Sequence, residues 1–196
     1  VNAPTGMKFA GAVDSSVVAL TGLGVTSTTG HALRFAALTG ANVAISGGWF
    51  TSAASTLAFL GAVSAASTID IGGGVSSTTT GSGNALNFAN AMPCPVSIGP
   101  GTFSSHDASS INFVGDISNA VDITDAVISS SGTGYGLHVS TVTGAALTIT
   151  RGSFSASLTY PMIFSGDINA ASVVTVQSAS VASPASRAIG VGGRRR

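Results

Sequence analysis

Apolar side chains recur along this chain with two periods at once. At short range they alternate with small or polar residues, as in Leu33-Arg34-Phe35 and Val43-Ala44-Ile45, which is the period-two signature of a β-strand with one buried face. At long range the alternating segments return. LRFAALTGANVAISGGWFTS (33–52) aligns with LNFANAMPCPVSIGPGTFSS (86–105), INFVGDISNAVDITDAVISS (111–130) and LHVSTVTGAALTITRGSFSA (137–156). MKFAGAVDSSVVALTGLGVTS, LAFLGAVSAASTIDIGGGVSS and MIFSGDINAASVVTVQSASVAS complete the set after small length changes. The anchor column Phe9, Phe35, Phe59, Phe88, Phe113, Val139, Phe164 advances in steps of 26, 24, 29, 25, 26 and 25 residues.

Each unit holds three apolar stations in constant order. Two residues before the anchor stands Met7, Leu33, Leu57, Leu86, Ile111, Leu137 or Met162. A second pair follows at Val18/Leu20, Val43/Ile45, Ile69/Ile71, Val96/Ile98, Val121/Ile123, Leu147/Ile149 and Val174/Val176, and a third station at Val25, Phe50, Val75, Phe103, Ile128, Phe154 and Val181. A repeat of this kind buries its apolar side only against the copies above and below it. The expected fold is therefore all-β: a single-domain parallel β-helix, or solenoid, of about seven coils with three short strands per coil over residues 7–183. Residues 1–6 form a lead-in and 184–196 a basic tail. At about 4.8 Å per coil the rod is roughly 34 Å long.

The connecting positions carry their own pattern. Two residues before the third station the column is almost all small (Leu23, Gly48, Gly73, Gly101, Ala126, Gly152, Ala179), as a tight cross-section requires. Two residues after it comes Ser27, Ser52, Ser77, Ser105, Ser130, Ala156, Ser183, which predicts a stacked hydroxyl ladder. The insertion STTTGSG (77–83) accounts for the longest step and reads as a turn.

Composition narrows the function classes. The 196 residues are 44% hydrophobic and 7% charged, all seven acids are Asp, and one Lys with six Arg brings the formal charge to zero. There is no global field to attract nucleic acid. Mean hydropathy is +0.51, yet Gly, Ser and Thr interrupt every run well short of about 18 apolar residues, so no membrane partner is expected. A lone Cys94 excludes an internal disulfide framework, and a buried, inert thiol is expected. The opening VNAPTG has neither a charged n-region nor an apolar h-region, which is the pattern expected of a protein made in a cytoplasm.

The repeat resembles the right-handed parallel β-helix of the pectate-lyase-like superfamily, which includes phage tail spikes, polysaccharide lyases, autotransporter passengers and some virion structural proteins. The resemblance spans about residues 7–183 and is one of architecture. It implies the right hand of the coil. The pectinases' paired Asp, His-Gly and Arg motifs have no convincing counterpart in the chain, nor has the lyases' pattern of Ca²⁺-binding acids with a catalytic Arg.

Candidate chemistry is judged against the columns. Asp116 and Asp167 both precede an inward Ile, in two copies of GDI, and Asp70 and Asp122 share an outward column; each pair is two coils apart, or about 9.6 Å at the backbone. Glycoside hydrolysis needs carboxyl groups about 5–5.5 Å apart for retention or about 6.5–9.5 Å for inversion. The distance alone permits an inverting pair, but solvated column residues lack the burial that suits a general acid. Catalysis by these four is the minor expectation. His31, His106 and His138 are dispersed, so neither metal nor other cofactor is expected. Asn87 and Asn112 stack in the column of His138 and suggest a side-chain amide ladder. An ice-binding array would need repeated Thr-x-Thr, and only Thr148-Ile149-Thr150 shows it.

Trp49 alternates with Phe50 and is expected outside, flanked in its column by Gly24 and Gly74, as a partner anchor or sugar platform. Arg187, Arg194, Arg195 and Arg196 are expected to dock on acidic groups of a neighbour. Low surface charge and ends without a capping helix favour assembly. The resulting expectation is a non-enzymatic virion protein, a phage capsid decoration (cement) protein or a tail spike or fibre subunit, that partners other virion proteins as a homo-oligomer, most simply a trimer. The alternative is a secreted carbohydrate-active or adhesive β-helix, such as a polysaccharide depolymerase domain or an autotransporter passenger.

Overall fold

The computed structural model describes the backbone of residues 2–3 and residues 6–184 and 188–192 in full. Among them every regular element is a strand and every pairing is parallel. The chain winds as a solenoid of about seven turns in a single domain. Its first face stacks Met7–Asp14, Leu33–Thr39, Leu57–Phe59, Leu86–Phe88, Ile111–Ile117, Leu137–Val142, Met162–Phe164 and Ile189–Val191. The second and third faces belong to one twelve-stranded sheet. They are joined because Val121–Ser130, Ala146–Ala156 and Val173–Ala182 run unbroken from one face to the other. Three short strands per coil thus describe the first four coils; in the last three the second and third strands fuse across a bend. Residues outside the 7–183 span continue the pairing at both ends: Asn2–Ala3 lies beside Thr26–Ser27, and Ile189–Val191 beside Met162–Phe164.

The register reproduces the apolar columns. Met7 pairs with Leu33, Leu33 with Leu57, and so on through Met162 to Ile189; Phe9 begins the parallel column that runs through Phe164 to Val191. Five consecutive anchors, Phe9, Phe35, Phe59, Phe88 and Phe113, stack with ring centroids 4.7–5.1 Å apart. That spacing is the strand spacing itself, so the rings keep the offset stacking that aromatic pairs favour without leaving their rungs. Val139 ends the pile.

Coil three departs from the predicted alignment. Ser77, not Val75, lies between Phe50 and Phe103, and Val75 pairs with Gly101 in the small-residue column. Large and small residues have exchanged places. Val75 fills the space that Gly101 leaves, Ser77 makes room beside two phenyl rings, and both are fully buried. The Ser77 hydroxyl donates to the Ala85 carbonyl at 2.7 Å, so its burial leaves no polar group unpaired. Three glycines, Gly72, Gly73 and Gly74, absorb the extra residue at the corner. Part of the insertion is consequently strand, since Val75–Thr79 is one continuous element.

The same slip places Thr79 in the serine column, level with Ser52. Those hydroxyls do not form the expected ladder from coil to coil. Three turn back on their own turns instead, Ser52 donating to Ala54 O at 2.5 Å, Thr79 to Gly83 O at 3.0 Å and Ser105 to Ala108 O, while Ser130 and Ser183 donate to turn carbonyls of the preceding coil, Ala108 O at 3.4 Å and Thr159 O at 3.3 Å. A buried hydroxyl finds the free carbonyls of the adjacent turn nearer than the next rung.

Candidate functional surfaces

The columns give the three faces different chemistry. On the first, the outward column runs Lys8, Arg34, Ala58, Asn87, Asn112, His138, Ile163. Its middle is a continuous polar chain. The Asn87 Oδ1 accepts from Asn84 Nδ2 (3.2 Å) and Asn112 Nδ2 (3.1 Å), and Asn112 Oδ1 accepts from His138 Nδ1 at 2.6 Å. His138 Nε2 then accepts from the Ser165 hydroxyl at 2.8 Å. Every member is satisfied with a neutral imidazole, and burial pushes the His138 pKa down. The predicted amide ladder is there, and it is longer than the two asparagines.

On the second face Asp70, Ser97 and Asp122 stand in register, so the two carboxylates are separated by a serine rung. Asp116 is level with Thr141, and Ile168 is level with Val142, so Asp167 stands two rungs from Asp116. Asp70, Asp122 and Asp167 are exposed. The two pairs occupy different faces of the coil, and nothing brings all four carboxylates to one cleft. Asp116 is half-buried, with one carboxylate oxygen shielded and unpaired. Asp125, close by in sequence, sits at the corner and takes the Arg151 guanidinium bidentately, Nε–Oδ1 2.7 Å and Nη2–Oδ2 2.8 Å. Arg151 holds the Asp125 carboxyl below the ordinary range. This clamp escaped sequence reading because the two residues are 26 positions apart and meet only when the coils stack.

Among the described residues the third face carries no charge. Its outward columns are Gly24, Trp49, Ser76, Thr102, Val127, Ser153, Ser180 and Thr26, Thr51, Thr78, Ser104, Ser129, Ser155, Ala182. Trp49 is 53% exposed and Val127 46%, on one column and three rungs apart. The indole lies flat over Gly24, where an added Cβ would sit 2.6 Å from Cε2 and Cζ2. One flank of Trp49 is thus packed on bare backbone. The other is bordered by Ser76 rather than by Gly74, a consequence of the coil-three slip.

Cys94 is fully buried, and burial pushes its thiol up to about 11, far from the thiolate a nucleophile or metal ligand requires. Arg187, Arg194, Arg195 and Arg196 lie outside the described residues.

Fold and surfaces together define the class: a parallel β-solenoid of about seven turns, consistent with a β-helix superfamily. A scan of protein-family models, a search of curated proteins and a search of solved structures each found no match.

Proposed function

We propose that this protein is a non-enzymatic structural subunit of a virion, a phage capsid decoration protein or a piece of a tail spike or fibre, that works by rigid adhesion to neighbouring subunits. The observation that carries this reading is the third face: fourteen outward positions over seven rungs without one charged side chain. Covering hydroxyls and small apolar groups with a partner costs far less desolvation than covering ions. Parallel strands on all sides make the face preorganised, so little conformational entropy is lost on docking. Trp49 supplies an aromatic anchor of the kind that concentrates binding energy at interfaces, and Val127 an apolar contact about 14 Å along the same column. The basic tail from Arg187 to Arg196 adds an electrostatic clasp in this scheme, and a homotrimer joined through the third faces is its simplest form.

Light scattering on the full chain tests it. The expected result is an oligomer that Trp49→Ser combined with Val127→Asp dissociates without loss of β-sheet signal in circular dichroism. As the sole tryptophan, Trp49 also reports directly, with emission moving to the blue on assembly. A monomer at every concentration, with emission indifferent to added particles, overturns the proposal. A second reading has one observation in its favour: an exposed indole with the Ser76 rung beside it also suits stacking on a sugar. In that case the protein is a secreted adhesive or carbohydrate-active β-helix, and polysaccharide binding or cleavage, lost in Trp49→Ser or in Asp116→Asn with Asp167→Asn, distinguishes it.

A further inference from the structure

The first two coils place the chain's only lysine beside one of its six arginines. Lys8 and Arg34 are direct partners in the parallel ladder, on the same outward column, with their Cα atoms about one strand spacing apart. Like charges in adjacent positions on one sheet face repel. Among the described residues no carboxylate neutralises them: Asp125 is held by Arg151, and Asp107 lies beside His106. Asp14, on the same strand as Lys8, is six residues further along, about 20 Å away.

The two cations are not simply splayed into water. They line a cavity of about 200 Å³ together with Gly6, Met7, Gly30 and His31. The Arg34 Nε is buried without a hydrogen-bond acceptor, and a buried donor on a charged group is costly to leave unpaired. The wall around it is held in place by the main chain. Gly6 N donates to His31 O at 3.1 Å, Met7 N to Ala32 O at 2.8 Å and Gly30 N to Ser27 Oγ at 3.1 Å. Gly6 presses against the Ala32 carbonyl so closely that no Cβ would fit. The His31 ring is fixed through Nδ1, which donates to the Ser55 carbonyl at 2.8 Å.

We propose that this cavity is a binding site for a small oxyanion, the carboxylate, sulfate or phosphate group of a ligand, held between the Arg34 guanidinium and the Lys8 ammonium. An oxyanion answers all three features at once. It accepts from the buried Nε, it cancels the repulsion between the cations, and it matches the guanidinium fork that binds such groups bidentately. The volume sets the size of the guest. It lies below the roughly 300–1,000 Å³ of sites for drug-sized ligands, so the cavity takes one acidic group or one acidic sugar, not an extended chain.

Calorimetric titration of the full chain with sodium sulfate, sodium phosphate and sodium glucuronate, each against sodium chloride at matched ionic strength, tests the site. Saturable binding of at least one oxyanion over chloride is expected, weakened about tenfold or more in Arg34→Gln and also weakened in Lys8→Gln. Arg151→Gln, which removes a cation on a distant coil, leaves it unchanged. Preference for sulfate or phosphate assigns a free tetrahedral anion, and preference for glucuronate a sugar-borne carboxylate; either supports the site. Absence of binding beyond chloride overturns it, as does undiminished binding in Lys8→Gln. Lys8 is exposed, so that variant keeps the test decisive even if Arg34→Gln fails to fold.

Discussion

The early and late coils turn the same corner by different chemistry. Between the second and third strands coils one to three use glycine in the left-handed region: Gly22 at φ 61°, Gly47 and Gly48 at 63° and 83°, Gly73 and Gly74 at 62° and 85°. The late coils put Asp125, Arg151 and Ser178 there at 56°, 52° and 54°, aligned on one column by the surrounding register. Left-handed backbone costs a residue with a Cβ about 1–2 kcal/mol and glycine nothing comparable. In the late coils the ladder runs on through the bend, and two of the three strained residues clamp each other as Arg151 and Asp125. In these six coils the corner therefore calls for a conformation rather than a residue type, while coil four turns through Gly99-Pro100-Gly101 without a positive φ. Within the core the contrast runs alongside: four of the five stacked phenyl rings lie in the first four coils and the last, Phe113, in coil five, while Val139 interrupts the column in coil six.

The largest expected effect comes from breaking the ring pile. Phe88 is fully buried between Phe59 and Phe113, and Phe88→Ala is expected to cost about 3–5 kcal/mol in denaturant unfolding. Val139→Ala, which removes less volume from the same column, is expected to cost clearly less; equal losses would show that the stack contributes nothing special to the early coils.

The corner glycines come next, because they separate strain from crowding. At Gly48 a Cβ would meet the Leu23 carbonyl oxygen and sit 2.6 Å from Leu23 N, whereas around Gly22 nothing lies within 4 Å. Gly48→Ala is expected to cost about 3 kcal/mol and Gly22→Ala only the backbone strain of about 1 kcal/mol. Conversely, Ser178→Gly relieves strain but adds chain entropy and is expected to change stability by less than about 1 kcal/mol. Thermal midpoints for the three variants measure the order; a Gly22→Ala as damaging as Gly48→Ala would mean the early corners need glycine for more than its torsion angles.

The smallest effects are set by pH and belong to the late coils. The folded pKa of His138 is depressed by burial, so the unfolded chain takes up a proton first and stability falls as pH drops below about 6.5. The folded pKa of Asp125 is depressed by Arg151. Its contribution is present above the unfolded value of about 3.9 and is lost as pH falls through the lower folded value. Unfolding midpoints followed from about pH 8 to about pH 3 should show both declines. His138→Gln is expected to flatten the first and Arg151→Gln the second, and persistence of either slope in its variant would assign it elsewhere.

Much of this architecture was legible in the chain because a solenoid writes its contacts at a fixed sequence spacing. The anchor column from Phe9 to Phe164, the inward pairs from Val18/Leu20 to Val174/Val176, the outward Trp49 and the Asn87–Asn112 ladder all follow from alternation and repeat length. Alternation ceases to decide where the coil length changes. A shift of two keeps the same residues inward, so period two could not choose between Val75 and Ser77 as the partner of Phe50; the volumes of Phe50, Phe103 and Gly101 settle it. The hydroxyls of Ser52, Thr79 and Ser105 likewise chose nearby turn carbonyls that no column reveals.

What the sequence by itself determined is thus the parallel β-fold, its seven rungs and the side of the coil on which each residue lies, since these rest on burial with a regular period. Tertiary structure alone decided which outward residues act together. The Asp125–Arg151 clamp, the indole laid over Gly24 and the cavity shared by Lys8, Arg34 and His31 depend on side-chain reach between neighbouring coils, and on how each corner bends, at distances of a few ångströms that no repeat period records.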